Sequence, residues 1–288
     1  MQRIDGNKAH HAGRLTLATW VLMAAVACAP SSTPLSVFAA AGAKPALDEL
    51  VRSFQSRRGD AIEVSYGGGG QTLARMVLVE RGDVYVAPEE EFMSSAIGQA
   101  AVDPATIRDI AYMVPVLAVA RQNPKRLRTL SDLARPGTRV AVARPETTCL
   151  GRYASRILQR AGLSEAIGEN IVTQAPRPDL LLAWLLLGEV DAIVTWHFYG
   201  ELARDEIEVL WLPPEQLPGI GKMQAAVATY SENYDRARDF VDFLASAHGQ
   251  AVFQKHGYIV DAAELSKHWS AASTRSGDEG EASHRSRP

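Results

Sequence analysis

The clearest indication of the fold is the continuous segment Ala61-Ile-Glu-Val-Ser-Tyr66, Gly67-Gly68-Gly69-Gly70 and Gln71-Thr-Leu-Ala-Arg-Met-Val-Leu-Val-Glu-Arg81. A β-prone run ends in four glycines, and a helix-prone run begins immediately after them. Such a junction exposes backbone N–H groups where the helix dipole favours negative charge, and glycine lets a ligand approach the backbone closely. We predict one wall of an anion site here, with a flexible loop as the alternative. A nucleotide loop is excluded because no Gly-Lys-Ser/Thr follows the glycines.

The same strand-to-helix alternation continues through most of the chain, from about residue 35 to residue 260. The pattern predicts strands at 35–40, 62–66, 84–87, 112–120, 138–143, 170–173, 191–196, 207–212 and 222–229, and helices at 45–58, 71–81, 150–161, 179–187 and 235–246. This alternation predicts parallel α/β layers with ligands at the carboxyl ends of the strands. We expect two lobes joined by two crossings: lobe I from residues 33–114 and 222–265, and lobe II from residues 115–221.

The two ends of the chain are expected to lie outside the fold. Residues 1–28 combine a basic start with a short apolar stretch and read as a signal peptide. The stretch Ala25-Val-Ala-Cys28 resembles a lipoprotein cleavage box, which predicts a lipid on Cys28. Ordinary cleavage nearby without a lipid is the alternative. Residues 266–288 are rich in small and charged residues, and we predict a disordered tail there.

Composition restricts the classes of function. The net charge of −3 argues against bulk nucleic-acid binding. Cys28 and Cys149 are the two cysteines, so the mature chain has no intrachain disulfide framework. No Ser/His/Asp, paired-carboxylate or metal-hydrolase signature is present, and no cofactor motif is found. We therefore expect an exported binding protein, periplasmic or on the cell surface, rather than an enzyme.

Six segments resemble the molybdate-binding family of periplasmic solute-binding proteins. They are Val37-Phe-Ala-Ala-Ala-Gly-Ala-Lys-Pro-Ala-Leu47, Ser65 to Arg75, Gly82-Asp-Val-Tyr-Val-Ala87, Arg135-Pro-Gly-Thr-Arg-Val-Ala-Val-Ala-Arg-Pro-Glu146, Gly188-Glu-Val-Asp-Ala-Ile-Val194 and Phe240 to Tyr258. The resemblance implies a two-lobed α/β periplasmic binding protein fold of type II, with the ligand in the interlobe cleft. It also implies a monomer that carries an oxyanion to the permease of an ABC importer by hinge closure.

The resemblance further implies a set of ligand-binding positions, carried over one by one. They are Ala41 and Gly42 in a first loop, Gly68, Gly69, Gly70 and Gln71 in a second, Thr147, Thr148, Cys149 and Leu150 in a third, and Arg177 and Thr195 beyond them. Members of the family usually have serine at Gly42 and in the tetraglycine, and tyrosine at Thr195. At least two hydroxyl donors are therefore missing. Each such hydrogen bond to a charged ligand contributes about 1.5–3 kcal/mol, and Arg177, Thr147 and Thr148 can compensate.

Several of these positions also fit an ordinary structural role instead of ligand binding. Thr147 and Thr148 fit simple N-capping, and Arg177 fits a solvated loop charge. Glu89-Glu90-Glu91 is expected to be the exposed first turn of a helix, matched to its dipole. A different ligand class is also open, because Glu146, Cys149 and His197 together would suit a soft transition-metal ion or complex. An enzyme on the same fold is the third and weakest hypothesis.

Overall fold

Two five-stranded sheets organise residues 33–269, the part of the chain that the computed structural model describes. The first sheet contains β1 (Leu35–Ala40), β2 (Ile62–Gly67), β3 (Val84–Ala87), β4 (Arg108–Met113) and β10 (Gly221–Val227), in the order β2-β1-β3-β10-β4. The second contains β5 (Pro115–Ala120), β6 (Val140–Ala143), β7 (Ile171–Ala175), β8 (Ala192–Trp196) and β9 (Ile207–Leu210), in the order β7-β6-β8-β5-β9. Each sheet has three neighbouring parallel strands followed by an antiparallel one. We call the parts built on these sheets lobe I and lobe II.

Helices connect the strands and pack on the sheets. They are α1 (Lys44–Arg58), α2 (Gly69–Val79), α3 (Glu90–Gly98), α4 (Cys149–Arg160), α5 (Ser164–Gly168), α6 (Pro178–Leu186), α7 (Tyr199–Leu202), α8 (Tyr234–Ala245), α9 (Ala247–Lys255) and α10 (Ala262–His268). The first of them shows how the core forms. Its buried residues Leu47, Leu50 and Phe54 recur at helical spacing, and the Phe54 ring meets the Phe240 ring of α8 edge to face at 5.1 Å.

The strand predicted over residues 112–120 is wrong, because two strands in different sheets occupy this region. β4 pairs with β10 in lobe I, whereas β5 pairs with β8 and β9 in lobe II. Val114 lies between them, and Pro115 has no N–H with which to continue the ladder. His197 forms two hydrogen bonds to Val114 at this crossing. Its ring Nδ1 accepts from the Val114 N–H at 3.0 Å, and its backbone N–H donates to the Val114 carbonyl at 3.0 Å.

Two further boundaries differ from expectation. The helix predicted from Gln71 begins two residues earlier, so Gly69 and Gly70 are helical. Residues 266–268, expected to be disordered, belong to α10, while residues 270–288 lie outside the described part of the chain. The predicted signal peptide and Cys28 also lie outside it. Between residues 33 and 269, no helix has the length and apolar character needed to cross a membrane.

Candidate functional site

The start of α2 is held in place by hydrogen bonds to its glycines. Gly68 is the N-cap residue, and its N–H donates to Gln71 Oε1 at 3.3 Å. The Thr72 hydroxyl lies 3.1 Å from the Gly68 carbonyl and 3.0 Å from the Gly69 carbonyl, and the Tyr85 hydroxyl donates to the Gly69 carbonyl at 3.0 Å. The junction is therefore an anchored helix N-terminus, which does not support the flexible-loop alternative.

Packing explains the absence of a side chain at Gly69. A Cβ there would lie 2.6 Å from Pro88 Cγ and 3.0 Å from Phe92 Cδ2, and one at Gly70 would lie 3.3 Å from Phe92 Cε1. These distances are shorter than normal carbon contacts, so the glycines let the start of α3 press against the start of α2. Gly42 differs, because the nearest atom to its Cβ position, Met113 Sδ, is 3.8 Å away.

Glu89, immediately before α3, is buried rather than exposed as expected. Only 5% of its surface is exposed, whereas Glu90 and Glu91 face solvent as predicted. Its Oε1 has no hydrogen-bond partner among the described residues. The reason is tertiary, since Pro88 packs on Gly69 and carries the next residue inward. Sequence reasoning missed this group because an acidic residue at a helix start normally faces water.

The start of α4 supplies a second helix N-terminus, from lobe II. Thr148 caps it as predicted: its Oγ1 accepts from the Gly151 N–H at 3.0 Å and donates to the Arg144 carbonyl at 2.9 Å. A Cβ on Gly151 would lie 2.4 Å from the Arg144 backbone, so glycine is required for this close approach. Cys149, the first residue of α4, lines the same pocket as the Glu89 carboxyl group, and each of the two groups shifts the pKa of the other.

A pocket of about 160 Å³ lies where the starts of α3 and α4 face each other across the lobes. It is lined by Glu89, Glu90, Glu91, Cys149, Arg152, Tyr153, Arg156 and Ile220. Arg152 Nη2 lies 3.4 Å from Glu91 Oε2, and the Arg152 guanidinium group lies 5.5 Å from the centre of the Phe92 ring. The Tyr153 hydroxyl donates to the Ile220 carbonyl at 2.7 Å. The lobes are therefore in contact at this point.

The family assignment rests on a match over most of the described residues. Residues 35–259 match the family model described as bacterial extracellular solute-binding protein. The chain belongs to this family. The solute-binding protein is 28% identical over 229 residues to a binding protein of Haemophilus influenzae, covering 78% of this chain and 90% of that relative. It is also 24% identical over 247 residues to the molybdate-binding protein ModA of Mycobacterium bovis. That alignment covers 81% of this chain and 92% of that relative.

Solved structures show the same fold. The periplasmic molybdate-binding protein of Azotobacter vinelandii superposes with a TM-score of 0.70 at 19% identity, covering 79% of this chain and 99% of that one. The two sheets with their helices form the two-lobed type II fold of periplasmic binding proteins. The resemblance found in the sequence is thereby confirmed for family and fold, whereas the individual ligand positions stay predictions.

Of the predicted ligand positions, only Cys149 lines the interlobe pocket. Gly42, in the 3-10 turn Ala41–Ala43 that follows β1, accepts at its carbonyl from the Tyr258 hydroxyl. Arg177 is exposed, and its guanidinium group lies 2.9 Å from Asp179 Oδ2, which fits the alternative of a solvated loop charge. Thr195 is completely buried in β8, and its hydroxyl has no partner among residues 33–269.

The residues of the metal hypothesis do not come together. Glu146 is exposed on the loop before α4, and Cys149 faces Glu89. His197 is buried at the crossing, where its ring lies 5.5 Å from that of Trp211 and burial lowers its pKa to about 4. Within residues 33–269, no group of three or more His, Cys, Asp or Glu side chains has an arrangement that could hold a metal ion.

Burial dominates the electrostatics of the pocket. It raises the pKa of Glu89, against the opposing effects of Cys149, Arg152 and Arg156. Burial also raises the pKa of the Cys149 thiol well above its ordinary value, and the neighbouring Glu89 adds to this effect. The helix start does not activate this cysteine as a thiolate. The thiol and the Tyr153 hydroxyl, whose pKa burial also raises, remain neutral hydrogen-bonding groups.

Proposed function

We propose that this solute-binding protein captures an oxyanion, molybdate or tungstate, between its lobes and delivers it to an ABC importer. The observation that carries the proposal is the convergence of three helix starts. α2 meets the start of α3 where Gly69 faces Pro88, and the residue before α3 meets α4 where Glu89 contacts Cys149. Helix N-termini offer unpaired N–H groups and a positive dipole end to an anion without burying a counter-charge.

The names of two relatives support this ligand class. ModA of Mycobacterium bovis and the Azotobacter vinelandii protein are both named as molybdate-binding. Sulfate presents tetrahedral oxygens and the same charge, so discrimination against it has to come from cavity size rather than from electrostatics. Backbone donors at Gly42 and Gly70 remain available where the resemblance implies serine hydroxyls.

Hinge closure is the proposed mechanism, and the two crossings are its hinges. One is Val114, held on both backbone groups by His197, and the other is the segment 211–220 between β9 and β10. A ligand that binds the closed arrangement more tightly shifts the population towards it. The permease then recognises the closed form. Extracytoplasmic location, a monomeric state and a lipid on Cys28 are parts of this proposal.

A thermal-shift and calorimetric screen tests the ligand. The purified protein is mixed with molybdate, tungstate, sulfate, phosphate and divalent metal ions in turn. A ligand that binds only the folded protein stabilises it, by about 2.7 kcal/mol at a concentration 100 times its Kd. We expect a rise in Tm with molybdate and tungstate but not with sulfate. A rise only with metal ions, lost in Cys149→Ser, would replace the oxyanion proposal by the metal hypothesis.

A further inference from the structure

The carboxyl group of Glu89 has no role in the proposed function as described so far. Only 5% of the surface of Glu89 is exposed, and the residue lines the interlobe pocket. One of its carboxyl oxygens, Oε1, has no hydrogen-bond partner among the described residues. Buried polar groups in folded proteins are nearly always hydrogen-bonded. A buried, unpaired carboxyl oxygen at the meeting point of two helix starts therefore indicates a group that completes its hydrogen bonds with a ligand.

Most of the charged side chains around Glu89 are already paired with one another. On its own helix the neighbours are Glu90 and Glu91, and from α4 the facing groups are the Cys149 thiol, the Tyr153 hydroxyl and the guanidinium groups of Arg152 and Arg156. Arg152 pairs with Glu91 at 3.4 Å, and Lys222 Nζ of β10 lies 3.7 Å from Glu90. Arg156 has no ion-pair partner among residues 33–269. Arg156 is therefore the one unpaired guanidinium group that faces Glu89 among the described residues, and its single charge cannot neutralise both an ionised Glu89 and a dianion.

We propose that Glu89 binds the oxyanion as a neutral carboxylic acid, donating from Oε1 a hydrogen bond in place of a missing serine hydroxyl, so that capture of a dianion takes up one proton. This inference rests on the proposed oxyanion function. The proton comes from solvent and stays on the carboxyl group, and no bond of the ligand is broken. An ionised Glu89 would instead direct a negative oxygen at a negative ligand.

Two features of the pocket favour the neutral form. Burial raises the pKa of the Glu89 carboxyl group because desolvation disfavours the charged state. The approach of a dianion acts in the same direction. The neighbouring Cys149 thiol stays protonated because burial raises its pKa, and Oε1 is the Glu89 oxygen that has no partner among the described residues.

Affinity as a function of pH tests the inference. Calorimetric Kd values for molybdate are measured between about pH 6 and pH 9 for the wild type, Glu89→Gln and Glu165→Gln. Glutamine keeps a donor but cannot titrate. Glu165, exposed in the first turn of α5, is the matched control. The wild type and the control should lose affinity with rising pH, by up to about tenfold per unit. Glu89→Gln should lose this dependence and bind more tightly than the wild type at the alkaline end.

Proton uptake gives a second measurement that needs no variant. Binding enthalpies of the wild type in two buffers of different ionisation enthalpy report the protons taken up, and we expect close to one at alkaline pH. Tight binding without proton uptake, or an unchanged pH slope in Glu89→Gln, would overturn the role of Glu89 and leave the oxyanion function standing. No molybdate or tungstate binding by the wild type at any pH would overturn the proposed function itself.

Discussion

Gly42 and Gly69, two glycines of the proposed anion site, differ in the space around them. The resemblance implies serine at the position of Gly42 and within the tetraglycine that contains Gly69. At Gly42 the nearest atom to an added Cβ is Met113 Sδ at 3.8 Å, an ordinary contact. At Gly69 the nearest atoms belong to Pro88, at 2.6 and 2.8 Å. One position therefore accepts a hydroxyl side chain, and the other depends on having none.

Gly42→Ser should tighten oxyanion binding. A hydroxyl donor to a charged ligand contributes about 1.5–3 kcal/mol, which corresponds to roughly 10- to 150-fold in Kd. Calorimetry with molybdate measures the change. Gly69→Ser is the matched control, because its side chain has to displace Pro88 at a cost of about 1–3 kcal/mol in stability. Equal affinities for the wild type and Gly42→Ser would show that this loop does not face the ligand.

Glu89→Gln should flatten the dependence of stability on pH. Because burial raises the pKa of Glu89 above its ordinary value of 4.5, the folded protein holds this proton more tightly than the unfolded chain. The wild type therefore loses stability as the pH rises from about 4.5 through the raised pKa. Urea unfolding at several pH values compares the variant with the wild type, and identical slopes would contradict an unusual environment for this carboxyl group.

At the scale of elements, local sequence signals are strongest where a helix begins. N-capping of α4 was the alternative to ligand binding for Thr147 and Thr148, and Thr148 does cap the helix through the Gly151 N–H. Strand and helix bounds elsewhere agree within a few residues, because apolar periodicity and caps act between neighbours in sequence. The strand predicted across Val114 failed, because local propensity alone cannot separate one long strand from two short ones in different sheets.

Thr148→Ala should weaken α4 and with it the lobe II side of the pocket. Removing the side chain leaves the Gly151 N–H without its acceptor, and loss of such a cap costs about 0.5–2 kcal/mol. Urea unfolding of the ligand-free protein measures the loss. Thr147→Ala is the control, since its hydroxyl lies 3.5 Å from the Pro176 carbonyl and its removal should change stability by less than about 0.5 kcal/mol. A larger effect for Thr147 would reverse the assignment of the cap.

The whole molecule depends on how the two lobes are joined. Val114 is the shortest link between the sheets, and the His197 ring and backbone bind its N–H and carbonyl. In the sequence His197 was a candidate metal ligand, together with Glu146 and Cys149. It is buried against Trp211 at the crossing, where it has a structural role through its hydrogen bonds to Val114.

His197→Gln should reduce acid sensitivity. Burial lowers the pKa of His197 from 6.5 to about 4, so the unfolded chain binds this proton more readily than the folded protein. The wild type should therefore lose about 3 kcal/mol from this group as the pH falls from about 6.5 to 4. Glutamine keeps an acceptor for the Val114 N–H but does not titrate. Thermal unfolding between these pH values measures the difference, with His248→Gln in lobe I as the control. Equal losses in both variants would exclude His197 as the source.

The sequence by itself determined the alternation of strands and helices, the glycine-rich helix start at α2, the threonine cap of α4 and, through the resemblance, the family. These features depend on residues that are near one another in the chain. Only the tertiary structure decided that Glu89 is buried, that Gly69 has no room for a side chain, and that His197 binds Val114. Each of these outcomes arises from contacts between distant segments, such as Glu89 with Cys149, and burial of this kind leaves no periodic signal in the sequence.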